Sequence, residues 1–151
     1  KNSKNCLSCN DDLFLNPIVG VCLKNCQEGF IMTTLTKNGV FITSCEACSI
    51  PCKTCKNSID YCTSCINGFY YNSLTNKCHI ECPNGFYNNS LTLTCELCDQ
   101  NCKTCKNNSK NCTSCANNYY LQEVNGSNIC GETCPSKFYK ALENNLGVCK
   151  L

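Results

Sequence analysis

Between Cys95 and Cys115 the chain reads CELCDQNCKTCKNNSKNCTSC, which places six cysteines in 21 residues as three CxxC pairs. Sulfur at this density leaves three chemistries: a metal cluster, a redox cycle or disulfides. A structural zinc site joins two CxxC knuckles across a dozen or more residues. Here the pairs Cys45/Cys48 and Cys52/Cys55 are separated by Ser49, Ile50 and Pro51 alone. The sole histidine, His79, is expected in an exposed turn, and the 7 Tyr and 6 Phe imply packed structure rather than a metallothionein-like cluster. A redox CxxC sits at a helix N-terminus, which lowers the thiol pKa. In this chain the motif recurs without helical periodicity around it. Disulfides are therefore the expected state. Neighbouring CxxC elements cross-pair more readily than one pair closes on itself, and each bridge is worth roughly 2–4 kcal/mol.

Composition supports that reading. Cysteine fills 21 of 151 positions, and large aliphatic residues are thin and evenly spread, with no Trp and one Met. Small units of this kind need cross-links for stability. All 13 basic residues are Lys, nearly balanced by 11 acidic ones for a net charge of +2. That balance excludes a nucleic-acid surface, which needs clustered cations. No apolar run reaches the ~20 residues of a membrane span, and these residues hold no signal peptide, a signal or anchor being expected in the flanks of a chain that begins in mid-repeat. Asn occurs 23 times. Pairs such as Asn107-Asn108, Asn117-Asn118 and Asn144-Asn145 are expected in turns, because Asn accepts the left-handed conformation and caps its own backbone.

The chain is an internal repeat. The register Cys62, Cys65, Cys78, Cys82, Cys95, Cys98, Cys102 and Cys105 recurs upstream from Cys6 to Cys55 and downstream from Cys112 to Cys149. Three repeats are expected: 1–55 (truncated at its N-terminal side), 56–105, and 106–151 (truncated at its C-terminal side). Each is internally doubled, since GFYYNSLTNKC at 68–78 parallels GFYNNSLTLTC at 85–95. Lys37-Asn38-Gly39-Val40 and Val124-Asn125-Gly126-Ser127 carry Asn-Gly hairpin turns. The expected fold is small, disulfide-rich and mostly β, with little or no helix. It is an elongated tandem array of six short β-hairpins, two per repeat, cross-linked by a disulfide ladder. Cys149-Lys150-Leu151 aligns with CEAC and CELC one residue short of the next cysteine, so the chain is expected to be a window on a longer array.

The stretch CPNGFYNNSLTLTCELCDQNCKTCKNNSKNCTSCANNYYL, with its CP-x-GFY, CxxCxxxCxxC and CxSC elements, resembles the furin-like, growth-factor-receptor-type cysteine-rich repeat. The resemblance covers essentially the whole chain. The Asn- and Lys-rich, Arg-free style resembles cysteine-rich surface proteins of ciliates, including immobilisation-antigen-type coats. The family's pairing, carried over, implies Cys9–Cys22, Cys26–Cys45, Cys48–Cys55, Cys52–Cys62, Cys65–Cys78, Cys82–Cys95, Cys98–Cys105, Cys102–Cys112, Cys115–Cys130 and Cys134–Cys149. It leaves Cys6 unpaired, its partner lying in the upstream cluster. Two departures put local turns in question: the third repeat has CPSKFY in place of CP-x-GFY, and the first has CQEGF.

Nothing in the spacing assembles a nucleophile with a supporting base, so no catalytic, cofactor-binding or metal-binding residues are expected. Asp11-Asp12 is read as a solvated turn rather than a cation site. Asn88, Asn107, Asn111 and Asn125 are candidate N-glycosylation sites; Asn111 is the weakest, with Cys112 as its middle residue. Disulfides imply an extracellular or cell-surface location. The expected function is a non-catalytic structural repeat segment of a larger surface, coat or fibre protein. Its expected partners are neighbouring repeats of the same longer chain, with self-assembly into a coat or fibre. The alternative is a ligand-binding or adhesive receptor ectodomain. The Tyr pairs at 70–71 and 119–120 are expected to pack over the bridges. The apolar loop QEGFIMTTLTKNGVFITS, between Cys26 and Cys45, is the candidate contact surface.

Overall fold

A computed structural model describes residues 6, 7, 9, 10, 13–16, 18–37 and 39–151. Asp11-Asp12 and Asn38 lie outside the described residues. Every regular element among those described is a strand. β1 (Phe14–Asn16) and β2 (Val21–Leu23) form the first hairpin, and β3 (Phe30–Lys37) and β4 (Val40–Ala47) form the second. The two lie side by side in a four-stranded sheet of order β2-β1-β4-β3, with the inner strands parallel at Leu15 and Ser44. The last repeat builds the same sheet. There β13 (Tyr120–Val124) pairs with β14 (Ser127–Gly131), and β15 (Tyr139–Glu143) pairs with β16 (Leu146–Lys150). The inner strands β13 and β16 are again parallel, at Leu121 and Val148. In sequence between these sheets come β7 (Tyr70–Asn72) with β8 (Lys77–His79), and β9 (Phe86–Asn89) with β10 (Thr94–Leu97). These make the six expected hairpins.

The sequence reading left the CxxC clusters without regular structure, and here the structure adds to it. β5 (Cys52–Cys55) pairs antiparallel with β6 (Cys62–Cys65), and β11 (Cys102–Cys105) pairs with β12 (Cys112–Cys115). Each pair opposes Cys to Cys at both ends and Thr to Ser in the middle, as Cys52↔Cys65, Thr54↔Ser64 and Cys55↔Cys62. That register needs one extra residue on each strand, so two bulges compensate. The Thr54 and Thr63 hydroxyls are 2.7 Å apart, and Ser64 Oγ is within reach of Thr54 as well. Thr104, Thr113 and Ser114 repeat the arrangement.

The abundance of Asn acquires a physical reason. Asn57, Asn76, Asn107, Asn118, Asn125, Asn144 and Asn145 hold positive φ, and only Leu93 and Lys137 share that conformation among the other described non-glycine residues. Asn125-Gly126 and Asn144-Asn145 each place two positive φ values at a hairpin tip, as a type I′ turn requires. Asn16 and Asn72, 3% and 0% exposed, turn the other way, into the fold. Each accepts at Oδ1 the amide two residues on, from Ile18 and Leu74, at 3.0 Å. Asn89 does the same for Leu91.

Lys137 answers the question raised by CPSKFY. It holds φ 77°, where its counterparts Gly29 and Gly85 hold 84° and 88°. The turn geometry is thus kept against an L side chain, at a cost of roughly 1–2 kcal/mol. Part of that is offset because a glycine orders from a freer unfolded chain. Lys137→Gly is therefore expected to stabilise the last repeat by about 0.5–1 kcal/mol, measured as a rise in unfolding midpoint. A fall would show that the Lys137 side chain holds the turn in some other way.

By packing, the chain divides into two compact units, Lys1–Tyr71 with Thr75–Cys78, and Asn72–Leu74 with His79–Leu151. This division falls at neither 55/56 nor 105/106, the boundaries expected from cysteine register.

Candidate functional site: the sulfur core

The described hydrophobic residues that are fully buried are all cysteines: Cys45, Cys52, Cys62, Cys95, Cys102, Cys105, Cys112, Cys115 and Cys130. Sulfur therefore takes the place that Leu, Ile and Val hold in an ordinary core. The structure brings together Cys9 with Cys22, Cys26 with Cys45, Cys48 with Cys55, Cys52 with Cys62 and Cys65 with Cys78. It joins Cys82 to Cys95, Cys98 to Cys105, Cys102 to Cys112, Cys115 to Cys130 and Cys134 to Cys149. Their Cα separations run from 5.0 to 5.8 Å, inside the range a bridge accepts. Cys6 is outside a bridge and half-buried, its N–H donating to the Gly20 carbonyl at 2.8 Å.

Two kinds of bridge alternate. Cys48–Cys55 and Cys52–Cys62 interlock across β5 and β6, each closing a short loop of 7 and 10 residues. Cys98–Cys105 and Cys102–Cys112 repeat this arrangement at β11 and β12, again at 7 and 10, and the other six bridges close single hairpins of 13 to 19 residues. The sulfurs of Cys102, Cys112 and Cys130 lie within 4.8 Å of one another. They belong to two separate bridges, and a disulfide sulfur has no thiolate to offer a metal. Around this cluster pack Tyr87, Tyr119 and Leu121. Tyr119 and Tyr120 are half-buried, as are Tyr70 and Tyr71. Tyr71 O–H donates to Asn76 Oδ1 at 2.7 Å, tying ring to turn. His79 is half-buried at the end of β8, with Nε2 shielded from solvent, rather than in an exposed turn.

Glu96 organises the β9–β10 hairpin. Tyr87 O–H donates to its Oε2 and Asn89 Nδ2 to its Oε1, both at 2.6 Å. The Tyr87 bond, then the Asn89 bond, holds the Glu96 carboxyl below its ordinary pKa, while the same contact raises Tyr87. The signs fix the pH window. A depressed carboxyl contributes stability above its unfolded pKa and loses it as pH falls through the folded value. A raised tyrosine contributes below its unfolded pKa and loses it as pH rises through the folded value. Unfolding midpoints should therefore drop on both the acid and the alkaline limb, and Glu96→Gln should flatten both. An unchanged profile in that variant would show that the contact carries no linkage.

The sequons differ in availability. Asn107 and Asn125 are exposed, the second at a hairpin tip. Asn88 is half-buried, its Oδ1 accepting the Cys82 amide at 2.8 Å. Asn111 spends its Nδ2, the atom a glycan would take, on the Lys106 carbonyl at 3.2 Å.

Two of the hollows on the surface are lined by residues of interest here. One of about 440 Å³ is bordered by Asn117, Asn118, Tyr119, Tyr120, Leu142 and Asn145. Lys140 Nζ stands 4.9 Å from the Tyr120 ring centre. The other, about 250 Å³ and mostly apolar, is lined by Ile18, by Phe30 and Thr33 of β3, and by Ser44, Cys45, Glu46 and Ala47 of β4. The long β3–β4 hairpin also exposes Met32 and Phe41. Neither hollow was foreseen, because each depends on contacts between strands distant in sequence.

No family model matches the chain. Two known proteins are similar to parts of it. A segment of 83 residues, 54% of the chain, is 30% identical to cysteine repeat modular protein 2 of the ciliate Tetrahymena thermophila. Fifty residues, 33% of the chain, are 46% identical to proprotein convertase subtilisin/kexin type 5 of Rattus norvegicus. The matched stretches amount to 4% and 2% of those proteins' lengths, so what the whole proteins do is no description of this chain. In its cysteine register, paired hairpins and interlocked CxxC bridges, as in the two similarities, this chain resembles a furin-like cysteine-rich repeat protein.

Proposed function

We propose that the chain is a non-catalytic structural repeat segment of a larger extracellular or cell-surface protein, a coat or fibre component. The observation that carries this reading is the core itself. Nine cysteines and no large aliphatic residue fill the buried hydrophobic positions among the described residues, so stability comes from bonds that form only in an oxidising compartment. Each unit holds itself together locally, and length then scales with copy number. The exposed Asn107 and Asn125 would carry glycans on the outer surface. The Tetrahymena similarity supports the repeat character and a very long parent.

The receptor-ectodomain reading draws on one feature, the hollow beside Tyr119 and Tyr120, whose amides and rings suit a polar ligand. The experiment that separates location from use is antibody labelling of unpermeabilised cells with a serum raised against this segment. Surface staining in a continuous layer supports the structural reading. Staining confined to the cell interior would overturn it.

A further inference from the structure

Phe30, Phe86 and Phe138 hold one position of the repeat, following CQEG, CPNG and CPSK at the start of the second hairpin. Phe30 and Phe86 are half-buried, while Phe138 is 41% exposed. That ring leaves in water apolar area that its sisters bury. The tip of the preceding hairpin is the neighbour that differs. In the first repeat the tip brings Ile18 to the hollow that Phe30 lines. In the second the tip Asn72–Leu74 packs in the same compact unit as Phe86. In the third the tip brings Asn125 to a hollow of about 370 Å³ that Gln122, Glu123, Pro135 and Phe138 also line. Where the first two tips offer isoleucine and leucine, the third offers an amide. It is also the one of the three that forms a sequon, Asn125-Gly126-Ser127, against Asn16-Pro17-Ile18 and Asn72-Ser73-Leu74.

We propose that the first N-acetylglucosamine of a glycan on Asn125 seats in this hollow, its ring against Phe138 and Pro135. A pyranose ring has an apolar face of C–H groups and a rim of hydroxyls. The electron-rich face of Phe138 attracts the first, and the Gln122 amide and Glu123 carboxylate suit the second. An apolar wall with a few polar groups is what a site for a small molecule requires. The occupant is fixed by attachment rather than by volume, since the acceptor residue is itself part of the wall. Asn125 is exposed, and positive φ at Asn125 and Gly126, 51° and 74°, sets it at the head of a tight turn. Asn88 and Asn111, by contrast, spend their side chains on the Cys82 amide and the Lys106 carbonyl. The transfer forms a bond from Asn125 Nδ2 to the anomeric carbon of the sugar and breaks that carbon's bond to a lipid-linked diphosphate. The lipid diphosphate leaves and the amide gives up one proton. The inference rests on the extracellular reading, because lipid-linked donors act in the secretory lumen.

The test uses the whole chain, secreted from a eukaryotic cell that adds N-glycans. Intact mass gives the occupancy of each sequon. An endoglycosidase that leaves one N-acetylglucosamine isolates the first sugar, and Ser127→Ala supplies the chain with Asn125 bare. The single-sugar form is expected to unfold about 2–4 °C above Ser127→Ala. The same pair of proteins is then made with Phe138→Ala, where that gain should largely vanish. The effect of losing Ser127 itself is common to both backgrounds and cancels. A sugar that merely shields the surface would give equal gains with and without the Phe138 ring, and that result would overturn the seat. Sugar on Asn107 with Asn125 bare would also overturn the proposal, and would leave the extracellular reading standing. Staining confined to the interior of native cells would overturn both.

Discussion

Cys102→Ala/Cys112→Ala is expected to destabilise the chain by roughly 4–5 kcal/mol, and Cys134→Ala/Cys149→Ala by roughly 2–3 kcal/mol. Loop entropy alone predicts the reverse order. The bridges close loops of 10 and 15 residues, worth about 2.7 and 3.0 kcal/mol in the chain-entropy model. That difference of about 0.3 kcal/mol is outweighed by burial. Cys102 and Cys112 are 7% and 2% exposed and lie in the sulfur cluster under Tyr87 and Tyr119, whereas Cys134 and Cys149 are half-buried. Removing the inner pair leaves a cavity that its neighbours, bonded to one another, cannot close. Removing the outer pair frees one hairpin. Urea unfolding followed by tyrosine signal measures the order. A larger loss in the outer variant would show that cross-linking matters here through the unfolded chain alone.

Gly147→Ala should cost about 2–3 kcal/mol, and Gly131→Ala well under about 1 kcal/mol, although both meet an atom at 2.3 Å. The difference is what stands in the way. At Gly147 a Cβ meets the backbone carbonyl oxygen of Tyr119 and, at 3.2 Å, the Tyr120 ring. Neither can withdraw without separating β16 from β13, whose parallel contact at Leu121 and Val148 joins the two hairpins of the last sheet. At Gly131 the nearest obstacle is the end of the Gln122 side chain, which swings aside, and the Thr133 carbonyl oxygen at 3.3 Å needs to give only slightly. Unfolding midpoints of the two variants decide it. Equal effects would mean that the β13–β16 seam is softer than its geometry suggests.

The parts of the fold written in short range were legible. Asn-Gly at 125–126 gives a hairpin tip because both residues tolerate positive φ. The Asn pairs marked turns for the same reason. Spacing alone left the sulfur pairing open, and it came from the resemblance. The paired strands CKTC and CTSC were missed because two compensating bulges erase the period-of-two pattern by which a strand is recognised. The parallel seams Leu15–Ser44 and Leu121–Val148 were missed for a different reason. They join strands far apart in sequence, and no local composition encodes them. Leu93 and Lys137 read as ordinary residues in sequence, since only the backbone shows that each occupies a position suited to Asn or Gly. His79 was assigned to an exposed turn because a lone histidine has no pattern around it, and the end of β8 half-buries it instead.

Sulfur in ten local bridges stands in for an aliphatic core among the described residues. Bridge mapping by mass spectrometry of unreduced native protein, with thiols blocked beforehand, tests it most directly. Ten links are expected in the order given by the structure, two interlocked pairs across the CxxC strands among them, with Cys6 the remaining sulfur of this segment. Many blocked thiols, or zinc travelling with the native mass, would contradict it and return the CxxC clusters to metal chemistry.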